Sequence, residues 1–236
     1  MKYISLYMRH FITVALCTVF LLPGCASRKS LLQPGVSLQL AQERKEHIAE
    51  VHYTLFFNLP AEFREPVEAR QTITFRLKKP RQVILDFSGK ESDIHAVIIN
   101  GQPIYPEGKL PLLNEHLVFE HKYFQRGENY IEIAFCAGDQ SLNRNEDFLY
   151  TLLVPDRART LFPCFDQPNL KAVYTLSLEV PAHWQVVSNT PVEHETVWDK
   201  VKTVAFGTTE PLSTYLFSFV AGDFQKETEC RNGRCI

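Results

Sequence analysis

The chain has 236 residues, of which 25 are basic and 27 are acidic, so its formal net charge at pH 7 is −2. No block of Lys and Arg stands out from this balanced background, which argues against a nucleic-acid-binding protein. A chain of this length can bury one good hydrophobic core, because a 150-residue domain already removes roughly 70% of its unfolded surface from water.

The first 24 residues are typical of a targeting segment. Lys2 and Arg9 form a basic region, residues 11–22 form a short apolar core, and residues 22–25 read Leu-Pro-Gly-Cys, which resembles a bacterial lipobox. The apolar core is about half of the ~20 residues that a spanning helix needs. We therefore predict a lipoprotein signal peptide over residues 1–24 and lipidation of Cys25. An ordinary secretory signal or a retained signal anchor is the alternative.

Lipidation predicts a bacterial cell envelope protein whose first partner is a membrane. Several acyl chains, at ~0.8 kcal/mol per buried methylene, hold a protein stably on a bilayer. Ala26, rather than an aspartate, after the cysteine predicts sorting to the outer membrane if the source is Gram-negative. Residues 25–36 follow as a polar tether.

One stretch after the tether has the composition of a helix. Residues 37–46 read SLQLAQERKE, and Ser37 is suited to be the N-cap. No later window of ten or more residues keeps a helical period. We predict one short helix at the start of the domain.

From residue 47 onward, apolar and polar residues alternate with period two, and Asn-Gly, Pro and Gly-rich turns separate the alternating segments. Such alternation predicts antiparallel strands with one buried face. The fold class is therefore all-β, an antiparallel two-sheet sandwich or saddle, forming one domain over residues 37–224. The alternating segments are residues 53–59, 72–77, 83–87, 94–99, 131–135, 172–180, 201–206 and 214–220.

Two cysteines near the end of the chain flank a hairpin signal. Asn232-Gly233 predicts a two-residue turn that sets Cys230 opposite Cys235 in a non-hydrogen-bonded pair. The Cα atoms of such a pair approach to about 4.5 Å, which lies within disulfide reach. We predict a Cys230–Cys235 disulfide, with two free thiols as the alternative.

Residues 157–171, which we call the signature segment, read RARTLFPCFDQPNLK. Pro163 and Pro168 each remove a backbone donor, so the segment is predicted to be an ordered loop held by its apolar residues. With Ala172, it resembles the A-R-x-x-F-P-C-F-D-x-P-x-x-K-A signature of the aminopeptidase N family of zinc metallopeptidases.

The resemblance covers only the first, non-catalytic domain of that family, which is a β-saddle. It implies a catalytic peptidase domain as partner, zinc in that domain only, and peptide substrate only in the full enzyme. Residues 225–236 then correspond to a truncated hairpin that leads toward an absent catalytic domain. The expected function is a substrate-cleft and capping domain that is inactive alone. The alternative is a free-standing envelope lipoprotein that uses the same scaffold as a binding module.

The eight histidines supply no zinc motif. A gluzincin needs H-E-x-x-H on a helix, and His194-Glu195 begins this pattern, but Trp198 occupies the place of the second histidine. His116 and His121 are five positions apart, whereas the inverted motif needs four. Each histidine is therefore interpreted as a surface or turn residue, and the chain is predicted to hold no catalytic or metal-binding residue.

The signature segment is the candidate for a substrate cleft or a domain interface. Cys164 is interpreted as a packed thiol of raised pKa, because Pro163 and Phe165 flank it. Arg159 and Asp166 are predicted to orient the loop through buried hydrogen bonds, since a charge taken out of water must be paired. A domain that expects a partner should also expose an apolar face beside this loop.

The resemblance also implies a substrate anchor that this sequence lacks. In the family, a Gln or Glu before the A-R pair binds the free α-amine of the substrate, and the matching position here is Val154. Valine can neither accept a hydrogen bond nor offset an ammonium. The anchor lies elsewhere, the substrate preference differs, or the register is shifted. The candidate residues for this cleft or interface are Val154, Arg159, Phe162, Cys164, Phe165 and Asp166.

Overall fold

The fold is described by a computed structural model, which covers residues 31–104, 110, 112–227, 229–232 and 234–235. The predicted signal peptide over residues 1–24, the lipidation of Cys25 and the first part of the tether lie outside the described residues. In the described part of the chain, no helix has the length and apolar character that crossing a bilayer requires.

Within the described residues, one α-helix precedes a long series of strands. Helix α1 spans Leu38–His47. The strands are β1 (Ile48–Asn58), β2 (Glu68–Leu77), β3 (Val83–Asp86), β4 (Ile94–Ile99), β5 (Gln102–Ile104), β6 (Leu112–Leu113), β7 (His116–Phe119), β8 (Gly127–Cys136), β9 (Leu142–Arg144), β10 (Phe148–Thr151), β11 (Ala172–Pro181), β12 (Gln185–Ser188), β13 (Val192–Trp198), β14 (Val201–Phe206), β15 (Phe219–Gly222), β16 (Cys230–Arg231) and β17 (Arg234–Cys235). Short 3₁₀ helices lie at Glu91–Asp93, His121–Tyr123, Ala158–Thr160 and Thr214–Leu216.

Helix α1 begins where the sequence predicted. The Ser37 hydroxyl accepts a hydrogen bond from the Leu40 N–H at 3.1 Å, which satisfies one of the free donors of the first turn. The helix buries Leu40 and Arg44 and leads directly into β1. Ser37 is therefore the N-cap, and α1 lies against the start of the β-domain.

The strands form two main layers, which we call the large sheet and the small sheet. The large sheet has the order β13-β14-β11-β1-β2-β8-β4-β5, and the small sheet has the order β12-β15-β10-β9. A third sheet, β3-β7-β6, lies next to them. The prediction of an all-β fold with two principal sheets and a short N-terminal helix is confirmed.

One pairing departs from the antiparallel prediction. Strands β1 and β11 run parallel, with Val51 opposite Ala172 and Asn58 opposite Glu179. A parallel pair needs a long connection between its strands, and here all the elements from β2 to β10 lie between them. Local alternation shows that β1 and β11 each have one buried face, but it carries no information on their relative direction.

The buried faces of the strands meet in one hydrophobic core. Tyr53, Leu55 and Phe57 of β1 are at most 1% exposed, as their alternation predicted. Phe57 contacts Phe135 of the large sheet at 6.3 Å and Phe219 of the small sheet at 5.2 Å between ring centroids. The two sheets are thus joined through aromatic side chains.

Residues 214–220 were predicted as a strand, and this is wrong for residues 214–218. The segment forms a 3₁₀ helix at Thr214–Leu216, and β15 begins only at Phe219. The Thr214 hydroxyl donates to the Asp166 carboxylate at 2.8 Å, which turns the chain inward before it joins the small sheet. Phe217 is buried and stacks on Tyr174 at 4.9 Å.

The hairpin at the end of the chain has the predicted pairing. Strands β16 and β17 are antiparallel, with Cys230 opposite Cys235. Asn232 has φ 50°, the left-handed conformation that an Asn-Gly turn requires. Cys230 is disulfide-bonded.

That Cys235 is the partner of Cys230 in this disulfide stays a prediction, and it has a direct test. Alkylation of the purified chain without reductant should leave both residues unlabelled, because a disulfide has no thiolate to react. Peptide mass mapping before and after reduction measures this. Label on both residues before reduction would rule the bridge out.

Gly138 lets the signature segment approach the core, which gives a second prediction. A Cβ atom at Gly138 would lie 2.0 Å from the Thr160 carbonyl oxygen, so Gly138→Ala should destabilise the fold by about 1–3 kcal/mol. Gly207→Ala is the control, because its Cβ would meet only the end of the Glu193 side chain at 3.0 Å. Urea unfolding of both variants measures the difference, and equal losses would contradict the role of Gly138.

Candidate functional site

The signature segment connects the small sheet to the large sheet. It begins with the 3₁₀ helix Ala158–Thr160 and ends at β11. In its middle, Cys164 pairs with Asp86 at the end of β3 through two backbone hydrogen bonds of 2.7 and 3.0 Å. The segment is therefore an ordered loop that is paired with a sheet strand along part of its length.

The apolar side chains of the segment point into the core. Phe162, Cys164 and Phe165 are at most 1% exposed. Phe162 contacts Tyr53 at 5.9 Å, and Phe165 contacts Phe75 at 5.8 Å, both edge to face. These three side chains therefore hold the loop in place and do not line an open surface.

Buried polar groups from other elements satisfy the backbone of the loop. The Phe165 N–H donates to the Tyr53 hydroxyl at 2.9 Å, and the Gln71 amide donates to the Pro163 carbonyl at 2.8 Å. Burial raises the pKa of Tyr53 well above its ordinary value. Tyr53 is thus neutral. The backbone groups of Phe165 and Pro163 have side-chain hydrogen-bond partners, although the segment forms no regular secondary structure there.

Asp86 is the centre of the buried polar network. Its Oδ2 accepts from Arg44 Nη1 at 2.7 Å and from the Asp166 N–H at 2.8 Å. Its Oδ1 lies 2.8 Å from both Arg44 Nη2 and His116 Nδ1. Burial acts to raise the pKa of Asp86, but Arg44, then His116 and the Asp166 N–H, outweigh it and lower the pKa. The carboxylate is ionised and surrounded by donors.

Asp166 and Arg159 form a second pair within the signature segment. Asp166 Oδ2 accepts from the Arg159 N–H at 3.1 Å and from its Nη1 at 3.3 Å. Arg159 also reaches Glu115 at 3.3 Å. Burial raises the pKa of Asp166 even though these donors favour the charged form. The predicted hydrogen bonds between the two residues are present and partly buried, and their role in orienting the loop stays a prediction.

Cys164 lies in the environment of a structural thiol. Burial, followed by the charges of Asp166 and Asp86, raises its pKa well above the ordinary value. A thiol of raised pKa is a poor nucleophile because the reactive species is the thiolate. The geometry gives Cys164 a packing role.

The interpretation of every histidine as a surface or turn residue is wrong for His116. This side chain is 0% exposed and lies between Asp86 and the Gln33 carbonyl. Sequence reasoning missed the group of Arg44, Asp86 and His116, because α1, β3 and β7 place the three side chains together only in the folded chain. One usable signal was an aspartate that follows an apolar run, in residues 83–87.

A separate apolar surface lies on the small sheet. Its outward row runs from Val187 of β12 through Val220 of β15 to Tyr150 of β10. Val187 is 62% exposed and Tyr150 is 40% exposed. Phe148 stacks on Tyr150 at 6.3 Å and contacts Phe224 at 5.8 Å. We call these five residues the outer face of the small sheet.

The line of exposed residues continues from β10 toward the signature segment. Leu152 is 48% exposed and Val154 is 51% exposed, and both follow Tyr150 at alternate positions. Behind the sheet, Phe162 of the segment contacts Phe217 at 5.7 Å. An apolar surface is therefore present on the small sheet, with Val154 at its border. It lies on the opposite side from the buried part of the signature segment, whereas the sequence predicted that the loop would lie beside it.

The described residues do not fit a catalytic zinc ion. Among them, no group of three or more His, Cys, Asp or Glu side chains is arranged to hold a metal. The buried side chains of Asp86 and His116 are hydrogen-bonded to Arg44 and to a backbone carbonyl. The described residues therefore form a hydrogen-bond network around the signature segment and an exposed apolar surface on the small sheet.

Comparisons with known proteins agree with this reading of the fold. A family model described as the Peptidase M1 N-terminal domain matches residues 49–216. Glutamyl aminopeptidase of Rattus norvegicus is 45% identical over 196 residues, covering 80% of this chain and 18% of that protein. Glutamyl aminopeptidase of Sus scrofa is 43% identical over 82 residues, covering 34% of this chain and 9% of that protein. The chain thus spans less than a fifth of either relative.

A solved structure shows the same fold. An M1 zinc metallopeptidase from Deinococcus radiodurans superposes with a TM-score of 0.64 at 19% sequence identity. The match covers 78% of this chain and 44% of that chain. More than half of that protein therefore lies outside the region that corresponds to this chain.

The pKa of Asp86 is lowered and that of Asp166 is raised, so we predict that substituting the two residues costs different amounts of folding stability. Asp86→Asn should cost about 3–5 kcal/mol at pH 7, because it leaves the buried Arg44 guanidinium without its counter-charge. Asp166→Asn should cost about 1–3 kcal/mol, the loss of a buried acceptor. Urea unfolding measures both, and a larger loss for Asp166→Asn would contradict the central role of Asp86.

The pH dependence of the free energy of unfolding is a control for the role of the Asp86 charge. A carboxylate whose pKa is lowered in the folded state stabilises at neutral pH, and this stability is lost as the pH falls below about 4. The acid limb of the stability curve should therefore be shallower for Asp86→Asn than for the unchanged chain.

Proposed function

This chain belongs to the peptidase M1 family through its N-terminal domain, and we propose that it caps the substrate cleft of a lipid-anchored M1 zinc metallopeptidase. The zinc and the catalytic residues would come from a catalytic domain that contacts this one. Peptide substrate would bind only in the assembled enzyme. Lipid on Cys25 would hold the protein at a bacterial outer membrane.

The outer face of the small sheet is the observation that carries this proposal. Aromatic and aliphatic side chains are contiguous there and are exposed in the isolated chain. Contiguous exposed apolar patches of soluble proteins usually mark interaction sites. A catalytic domain is the partner that the family supplies, and the solved M1 structure continues well beyond the matched region.

The signature segment supports the same role from inside the domain. Its buried aromatic residues and the Asp86 network fix the course of the chain immediately after Val154. Because the chain after Val154 is fixed in position, the exposed residues between the end of β10 and Val154 can form one wall of the proposed substrate cleft. Because Val154 offers no polar group, the wall that this domain contributes is apolar, and the anchor for a substrate ammonium would come from the catalytic domain.

The free-standing binding module is the alternative, and solution behaviour separates the two. An orphaned domain should self-associate and bind an apolar dye such as bis-ANS at its unpartnered face. Tyr150→Ser and Val187→Ser should each lower the dye fluorescence by about half, since they interrupt the patch. Trp198→Ser is the matched control, because Trp198 is 83% exposed outside this face.

Other outcomes of this experiment decide against the proposal. A monodisperse monomer that binds no dye favours the binding module, as does a decrease with Trp198→Ser equal to that with Tyr150→Ser.

The purified chain alone should contain no stoichiometric zinc and hydrolyse no aminoacyl-arylamide. Chelator-sensitive turnover would contradict the assignment of catalysis to another domain. In the DNA after the last codon, an H-E-x-x-H motif would support the proposal and an unrelated gene would oppose it.

A further inference from the structure

The segment that precedes the domain is attached to it. Residues 31–36, which we call the N-terminal segment, lie against the turn between β6 and β7. The Asn114 side chain donates to the Leu32 carbonyl at 2.8 Å, and the Gly35 N–H donates to Glu115 Oε2 at 3.2 Å. This end of the predicted tether is therefore held by side chains of the turn.

The third attachment is a buried histidine. His116 Nδ1 lies 2.8 Å from Asp86 Oδ1, and His116 Nε2 lies 2.8 Å from the Gln33 carbonyl oxygen. A carbonyl oxygen can only accept, and Asp86 is ionised because Arg44 offsets its burial. Both neighbours of the ring are thus acceptors. A neutral imidazole has one N–H, so only the imidazolium donates at both positions.

Charges from four elements surround this site. Asp86 and Arg44 form an ion pair, so their charges offset each other within the network. Glu115, next to His116 in the chain, joins the N-terminal segment to the signature segment because it bonds both Gly35 and Arg159. The charged groups are Asp86 on β3, Arg44 on α1, Glu115 in the β6–β7 turn, and Arg159 and Asp166 in the signature segment.

We propose that protonation of His116 holds the N-terminal segment against the Asp86 network through the hydrogen bond to the Gln33 carbonyl. We call this pH-dependent attachment the latch. When the imidazolium loses its proton, the remaining N–H stays at Nδ1, because a hydrogen bond to a carboxylate is the stronger one. The Nε2 lone pair then faces the Gln33 carbonyl oxygen, and two acceptors repel each other. The segment is attached at low pH and released as the pH rises, since only the attached state requires the proton.

Release would lengthen the connection to a membrane. Six freed residues add at most about 20 Å of reach. This consequence rests on the proposed function, because it requires lipid on Cys25. The latch itself does not, and it is tested on the full chain without reference to a membrane or a catalytic domain.

The direct test is the protonation state of His116 in the folded full chain. Long-range ¹⁵N–¹H NMR spectra near pH 6 should show both ring nitrogens of His116 protonated. Hydrogen exchange of the Gly35 amide, normalised to its intrinsic rate, should then show protection that falls by up to about tenfold per pH unit as the pH rises. A single protonated nitrogen in a chain whose Gly35 amide is protected would overturn the proposal.

Variants separate the latch from the other attachments. His116→Gln should remove the pH dependence of protection, whereas Asn114→Ala should lower protection at every pH and keep its slope. His121→Gln is the matched control, because His121 is exposed on the following 3₁₀ helix. An unchanged slope in His116→Gln would also overturn the latch. If that variant does not fold, the ¹⁵N spectrum of the unchanged chain decides alone.

Discussion

The domain is built around one ionised carboxylate that has been taken out of water. Removing Asp86 from water costs several kcal/mol unless strong donors replace the solvent, and here a bidentate arginine, a histidine and a backbone N–H do so. These donors belong to α1, β7 and the signature segment. Because a half-satisfied buried charge is costly, the elements are constrained to meet in one arrangement.

This constraint explains how an irregular loop can be as ordered as a strand. The signature segment has prolines where a ladder would need donors, so regular pairing cannot hold it. Cys164 is instead paired with the backbone of Asp86, and Phe162 and Phe165 are packed among core aromatics. The buried aromatic residues of the segment therefore fix the position of the chain, and the exposed apolar surface lies elsewhere, on the small sheet.

The two proposals concern opposite sides of the same network. On one side, the signature segment lies behind the apolar face that we propose contacts a catalytic domain. On the other side, His116 and Glu115 extend the network by hydrogen bonds to the backbone of the N-terminal segment. The signature segment, which borders the proposed cleft, is thus linked through a few hydrogen bonds to the part of the chain nearest the predicted anchor.

The sequence by itself determined the class of fold, the cap at Ser37, the buried face of β1 and the turn at Asn232, because each depends on neighbours a few residues apart. It also identified the family through the signature segment. Only the tertiary structure decided that β1 and β11 are parallel, that residues 214–216 turn inward, and that His116 is buried. Those features depend on contacts between distant segments, which local periodicity and spacing do not encode.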